Sequence, residues 1–383
     1  MNKKMYIFSS GLAIFSMLFG AGNVVYPLVS GQYAGGNYLF AILGFLTSSV
    51  IFAFIGTLSM MLYEGDYTSF FSKIGKWPGF ILTVFIMCLI GPFGAMPRIL
   101  TVAHASIKNI VDVNIFTFSI LSCVLIFLCT FKKKKILDVL GYFLTPLLLI
   151  SLFVIIIVGF FKMQVMPKSE YSKLTVLSKS FFDGNQTMDL FATLIFSSMV
   201  FNILKLKFEN IKNDSKKILN ISLKASFIGL SILAVVYICF IKLSAIFSVE
   251  LANLSGADIL RTLAVITLGS KASYITSIAI GLACITTAIA LLDVFSEFLH
   301  EKIFFKKINN NFLLIGSLVI TSIFSSLNFS TITSILGPIL AVVYPALVVL
   351  SIVNIANKLY NFKYIKLPVF ATFIATAIFK IYS

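Results

Sequence analysis

The residues Phe19-Gly20-Ala21-Gly22-Asn23, with Pro27 shortly after, lie in the middle of a long apolar run. Glycine, asparagine and proline are poor helix formers. Together they favour a local unwinding that frees backbone N–H and C=O groups, and hydrocarbon tolerates this only where something polar fills the gap. A helix restarting after such a gap points its positive end into it, which suits a carboxylate. The competing reading is close helix packing against the two glycines. Adding Asn23 and Pro27 favours the unwound site.

Further along, Ala283-Cys284-Ile285-Thr286-Thr287 places adjacent hydroxyls in a second apolar run. With a free carbonyl one turn back, the pair Thr286 and Thr287 suits a small hard cation such as sodium. Threonine also bonds back to its own helix. Arg98, in Gly91-Pro92-Phe93-Gly94-Ala95-Met96-Pro97-Arg98, is a cation inside an apolar segment. Such a charge faces a partner or a wet cavity, and Asp189 is a candidate partner. Arg98 is read equally as a structural pin or as part of a transport pathway. A further run holds Phe196-Ser197-Ser198; paired serines can bend a helix or simply back-bond and pack.

These residues need a scaffold, and composition indicates which. The chain has 383 residues, 59% hydrophobic and 11% charged, with a mean hydropathy of +1.03. Soluble domains are nearer half apolar and a quarter charged. The apolar stretches recur along the whole length, so the lipid bilayer is the expected surrounding. The predicted fold is an all-α, polytopic membrane protein of about 11 helices, each near the ~20 residues a bilayer requires. The expected spans are 7–34, 37–63, 78–106, 114–131, 136–162, 187–204, 217–243, 271–300, 312–326, 328–356 and 366–382, with long loops at 163–186 and 244–270. A short surface helix is expected around Ala257 to Leu268. The run after Met1–Lys4 imitates a signal peptide but continues past Gly22 to Tyr33, so it reads as an uncleaved first span.

The formal charge of +16 follows topology rather than nucleic-acid binding. With the N-terminus in the cytoplasm, lysines and arginine divide roughly 19 inside to 9 outside. The inside group includes Lys3, Lys4, Lys132 to Lys135, Lys205, Lys216, Lys217, Lys302 and Lys366. The five cysteines sit in apolar segments without metal spacing. No phosphate-cradling glycine loop with a lysine and no serine nucleophile elbow occur, so neither ATP-driven transport by this chain nor enzyme chemistry is expected. Leu144-Thr145-Pro146-Leu147-Leu148 in span five and Leu336-Gly337-Pro338-Ile339-Leu340 in span ten lie at similar depth in oppositely directed spans. Inverted repeats of five spans would produce that pattern.

FGAGN with its following proline, GPxxAxPR in span three, TMDxxA in span six and the TT pair in span eight occur in order. Together they resemble the branched-chain amino acid:cation symporter family of bacteria, from about Gly11 to about Pro345. The resemblance implies a single transmembrane domain over 1–383, with inverted five-helix repeats at about 7–162 and 187–356 and an extra helix at about 366–382. It implies substrate held between broken helices one and six: Ala21, Gly22 and Asn23 on the amino-acid carboxylate, and Phe196, Ser197 and Ser198 opposite. A sodium would be held by backbone oxygens of Ser16, Phe19 and Ala283 and the hydroxyls of Thr286 and Thr287. Sodium-coupled import of leucine, isoleucine or valine across the bacterial inner membrane follows as the expected activity, with no cofactor beyond the coupling ion. The alternatives are a proton- or sodium-coupled carrier for another neutral amino acid, and a non-transporting receptor or scaffold. Two departures stand out. The family usually has about twelve spans, and Ser197 stands where a glycine is expected in the sixth-span break.

Overall fold

The computed structural model describes residues 3–108, 110, 112–131, 149–162, 165–207 and 214–382. The described residues are almost entirely helical and contain no strand. The helices are α1 (Lys3–Leu18), α2 (Ala21–Ala34), α3 (Tyr38–Leu46), α4 (Phe52–Leu62), α5 (Tyr67–Phe71), α6 (Lys76–Ile90), α7 (Ala95–Ile107), α8 (Ile115–Phe131) and α9 (Leu149–Phe161). They continue as α10 (Lys173–Gln186), α11 (Asp189–Lys207), α12 (Ser215–Ile246), α13 (Ser248–Leu251), α14 (Gly256–Phe298), α15 (Asn310–Ser325), α16 (Asn328–Tyr360) and α17 (Lys366–Tyr382).

Each of the expected spans contains helix. Among the described residues, length and apolarity alone qualify five stretches to cross a bilayer: Ala21–Leu62, Lys76–Ile107, Lys216–Ile246, Ile280–Ile303 and Asn328–Tyr360. Shorter apolar helices occur at Ile7–Leu18, Ile115–Thr130, Leu149–Phe161 and Asn310–Ser325. Leu43, Ile81, Leu121 and Ile374 on different helices are exposed. This arrangement suits a hydrocarbon solvent, where the backbone must satisfy itself and apolar side chains need not hide. The Leu144–Leu148 segment of the suspected repeat, Lys132–Lys135 and Lys212 lie outside the described residues.

The core is a bundle in which α1 and α2 pack on α12, α7 packs along α14, and α11 packs on α4. Small residues allow the closest approaches. A Cβ added at Gly31 of α2 would fall 2.2 Å from the Ile241 carbonyl of α12. The same addition at Gly44 of α3 would fall 2.2 Å from the Leu177 carbonyl of α10. Membrane helices gain little from the hydrophobic effect on association and depend on such backbone proximity.

One expectation changes and another gains detail. The stretch 163–186 is not simply a loop, because α10 occupies its second half and packs against α2 and α3. The helix expected around Ala257 to Leu268 is present as the first part of α14, ending where Gly269 turns left-handed at φ 80°. One face of it is buried, with Ile259 and Leu263 fully inaccessible, and Asp258 and Arg261 on the other are partly exposed.

Candidate substrate site between broken helices

Three interruptions of apolar helices meet at one cavity. The first separates α1 from α2 at Phe19 and Gly20. Gly20 is extended (φ −109°, ψ −166°), and its N–H is capped by Asn23 Oδ1 at 3.0 Å. Asn23 thus occupies the third helical position and reaches back to the start, half of a capping box. Pro27 lacks an N–H and cannot bond the Asn23 carbonyl in the next turn.

The second interruption separates α6 from α7 at Gly91–Gly94. A Cβ at Gly94 would stand 2.1 Å from the Leu89 carbonyl, so this turn needs glycine. It sets Arg98 in the first turn of α7, facing the other breaks.

The third separates α10 from α11 at Thr187 and Met188, where Met188 is left-handed at φ 62°. It lies upstream of Phe196-Ser197-Ser198, which form unbroken helix inside α11. The serines need no unwinding: Ser198 Oγ donates to the Gly65 carbonyl, and both serines are buried.

The cavity is bounded by Gly20, Ala21, Gly22 and Asn23, by Gln186, Thr187 and Met188, by Arg98, and by Phe196 and Thr287. Met17, Leu18, Ile90, Ile99 and Leu291 supply apolar wall. Gly22 presses on the third break: a Cβ there would be 3.2 Å from Thr187 Cα and 3.3 Å from the Gln186 carbonyl.

A buried polar network ties the first break to the third. Asn23 Nδ2 donates to Asp189 Oδ1 at 2.6 Å and to the Tyr237 hydroxyl. That hydroxyl donates onward to Asp189 Oδ2 at 2.7 Å. Thr187 Oγ1 stands 2.9 Å from Asp189 Oδ2 and 2.7 Å from the Gly184 carbonyl, sharing one proton between them. Both donor hydrogens and the oxygen of the Asn23 amide are therefore engaged.

Arg98 does not pair with Asp189. Its Nη1 donates to the Gln186 backbone carbonyl at 3.0 Å and its Nη2 to Gln186 Oε1 at 2.9 Å. The carbonyl is the last of α10, where the helix dipole is negative, so a cation is favoured there. Tyr26 and Phe329 flank the guanidinium, with ring centres 5.5 and 6.0 Å from Cζ.

The sites expected from sequence thus divide. Ala21, Gly22, Asn23, Phe196, Thr287 and Arg98 share the cavity. Ser197 and Ser198 do not bound it, and Asp189 stands behind Asn23 and Thr187. Of the expected sodium ligands, Thr287 Cγ2 is 3.8 Å from where a Cβ on Gly20 would be, so α14 meets the first break there. Phe19 lies in the break itself, Ser16 on the last turn of α1, and Ala283 and Thr286 on the adjoining turn of α14. Sequence reading missed Gln186, Thr187, Met188 and Tyr237. Asp183-Gly184-Asn185-Gln186-Thr187 carried a turn signal that could have located the break; Tyr237 in an apolar helix carried none.

Comparison with known proteins agrees with this architecture. Residues 3–383 match the family described as branched-chain amino acid transport protein. The chain belongs to that family. It is 27% identical to the branched-chain amino acid permease BrnQ of Bacillus subtilis, over 95% of this chain and 84% of the permease. It is 28% identical to the BrnQ permease of Corynebacterium glutamicum, over 94% and 82% of the two chains. Among solved structures, a manganese transporter of Eremococcus coleocola superposes with a TM-score of 0.61 at 14% identity, over 99% of this chain and 86% of that one. A Na+-coupled sialic acid symporter superposes with a TM-score of 0.57 at 13% identity, over 98% and 90%. These two likenesses speak to fold. This family member is accordingly a multi-pass membrane transporter, from a family of permeases rather than enzymes.

Proposed function

We propose that this chain imports branched-chain amino acids across a bacterial cytoplasmic membrane by sodium symport, with its N-terminus in the cytoplasm. The observation that carries the reading is the cavity between the breaks. It combines the start of α2, suited to a carboxylate, with an apolar wall suited to an aliphatic side chain. The relatives' names supply the substrate class. Sodium is assigned to the oxygens of Ser16, Phe19, Ala283, Thr286 and Thr287; the meeting of Thr287 with Gly20 supports that assignment. Ion binding there would join α1 to α14 and organise the first break before the amino acid enters. Alternating exposure of the cavity to the two sides then moves both. A membrane potential contributes ~2.3 kcal/mol per charge per 100 mV.

The test is radiolabelled leucine uptake into proteoliposomes, with a sodium gradient, a proton gradient or neither imposed. Sodium-driven accumulation that Thr287→Ala abolishes in folded protein is expected. Uptake unaffected by that substitution refutes the ion site. A second reading, proton coupling, is favoured by the buried Asp189 carboxylate that joins the first and third breaks. Accumulation under the proton gradient alone, lost in Asp189→Asn, would select it.

A further inference from the structure

Arg98 is only 2% exposed, and every ion pair among the described residues is made elsewhere. The two acidic side chains flanking the third break are already engaged. Asp189 accepts from Asn23, Tyr237 and Thr187, while Asp183 accepts from Ser30 at 2.9 Å and Tyr33 at 2.7 Å. Both oxygens bonded to Arg98 belong to one neutral residue, Gln186. A guanidinium carries five N–H donors, and Arg98 Nε has no partner among the described residues. A buried cation without a counter-charge is costly unless its partner arrives later.

Its surroundings place it beside the first break. Arg98 bounds the same cavity as Ala21, Gly22 and Asn23 at the start of the 14-residue α2. The positive end of a helix and a fixed guanidinium thus share one space. The arginine is also held in place. The rings of Tyr26 and Phe329 lie close to its Cζ, Gln186 accepts from both Nη atoms, and Tyr26 is itself tied to Thr333 Oγ1 at 2.9 Å. A preoriented guanidinium is well suited to a planar carboxylate.

We propose that Arg98 is a substrate-binding residue whose guanidinium receives the α-carboxylate of the transported amino acid, together with the first turn of α2. This rests on the functional reading above and deepens it, because it makes the carboxylate a requirement. With the carboxylate bound, α7, α2 and the end of α10 are bridged through one ligand, so substrate would draw the breaks together.

The experiment measures binding of leucine and of leucinol, which keeps the side chain and amine but lacks the carboxylate. Wild type, Arg98→Gln and Arg98→Lys are compared in detergent by calorimetry, with folding checked by size exclusion and thermal melting. Wild type should prefer leucine, and Arg98→Gln should lose leucine affinity by on the order of 10²-fold while leucinol binding changes little. Arg98→Lys keeps the charge but not the fork; it should show an intermediate loss, and serves if the glutamine variant does not fold. A leucine preference left undiminished by these substitutions in folded protein overturns the role of Arg98 and leaves the functional reading intact. Equal wild-type binding of the two ligands, weakened when chloride is replaced by gluconate, would assign the guanidinium to an inorganic anion and also overturn it. A folded wild type that binds no member of a neutral amino-acid panel sinks both readings.

Discussion

The helix interruption at Phe19 and Gly20 and the one at Thr187 and Met188 face each other across the same cavity, yet they are built from opposite materials. The first uses residues that prefer not to be helical: Gly20 caps, Asn23 caps back, and Pro27 leaves a carbonyl without its usual donor. The second places an ordinary methionine in the left-handed region at φ 62°, which costs roughly 1–3 kcal/mol. Its surroundings impose that conformation. Arg98 binds the Gln186 carbonyl, Thr187 bonds Gly184 and Asp189, and Gly22 of the first break abuts Thr187. A break can therefore be written locally, or can be enforced by the partner it faces.

That contrast can be attacked at its strongest point first. Gly22→Val should push α2 off the third break, because even its Cβ meets backbone at 3.2 Å. Backbone has no rotamer escape, so leucine uptake should fall to background even in protein that still melts cooperatively; substantial uptake would refute the close apposition. Asp189→Ala comes next. It strips an acceptor from Asn23, Tyr237 and Thr187, and stranded buried donors cost about 1–3 kcal/mol each. Thermal unfolding should drop by several degrees, and Asp189→Asn should drop less. Ser198→Ala removes the bond to the Gly65 carbonyl and should cost about 1 kcal/mol without changing the preference between leucine and alanine. A changed preference would return Ser198 to the substrate site. The smallest effect is expected at Met188→Gly. Relief of the left-handed strain is offset by the ~0.5–1 kcal/mol that glycine's added freedom costs, so stability should stay within about 1 kcal/mol. A large loss of melting temperature would mean that the methionine side chain, rather than its surroundings, holds the break.

The break in α1–α2 was legible because glycine, asparagine and proline announce themselves in an apolar run. Gly91–Gly94 carries a similar signal in its glycines and proline, although those residue types alone do not show that the turn aims Arg98 at the other breaks. From their own span Ser197 and Ser198 read as packing residues as much as a bend, and the resemblance alone placed them opposite the substrate. A serine can satisfy its hydroxyl on a neighbouring carbonyl without opening its helix, so paired serines alone do not locate a break. The pairing expected between Arg98 and Asp189 failed because each found a nearer partner, a helix-end carbonyl for the cation and three donors for the carboxylate.

Composition, apolar patterning and residue type by themselves determined that the chain lives in a bilayer, that it is helical, and that its first span is interrupted near Gly20. Those properties are local, set by transfer free energy and by single-residue backbone preference. Only the tertiary structure decided which polar groups meet. Asn23 and Asp189 are 166 residues apart in the chain and 2.6 Å apart in space, and Arg98 reaches Gln186 across 88 residues. Such contacts depend on how several helices pack at once, and a buried polar group takes whichever partner that packing brings within reach.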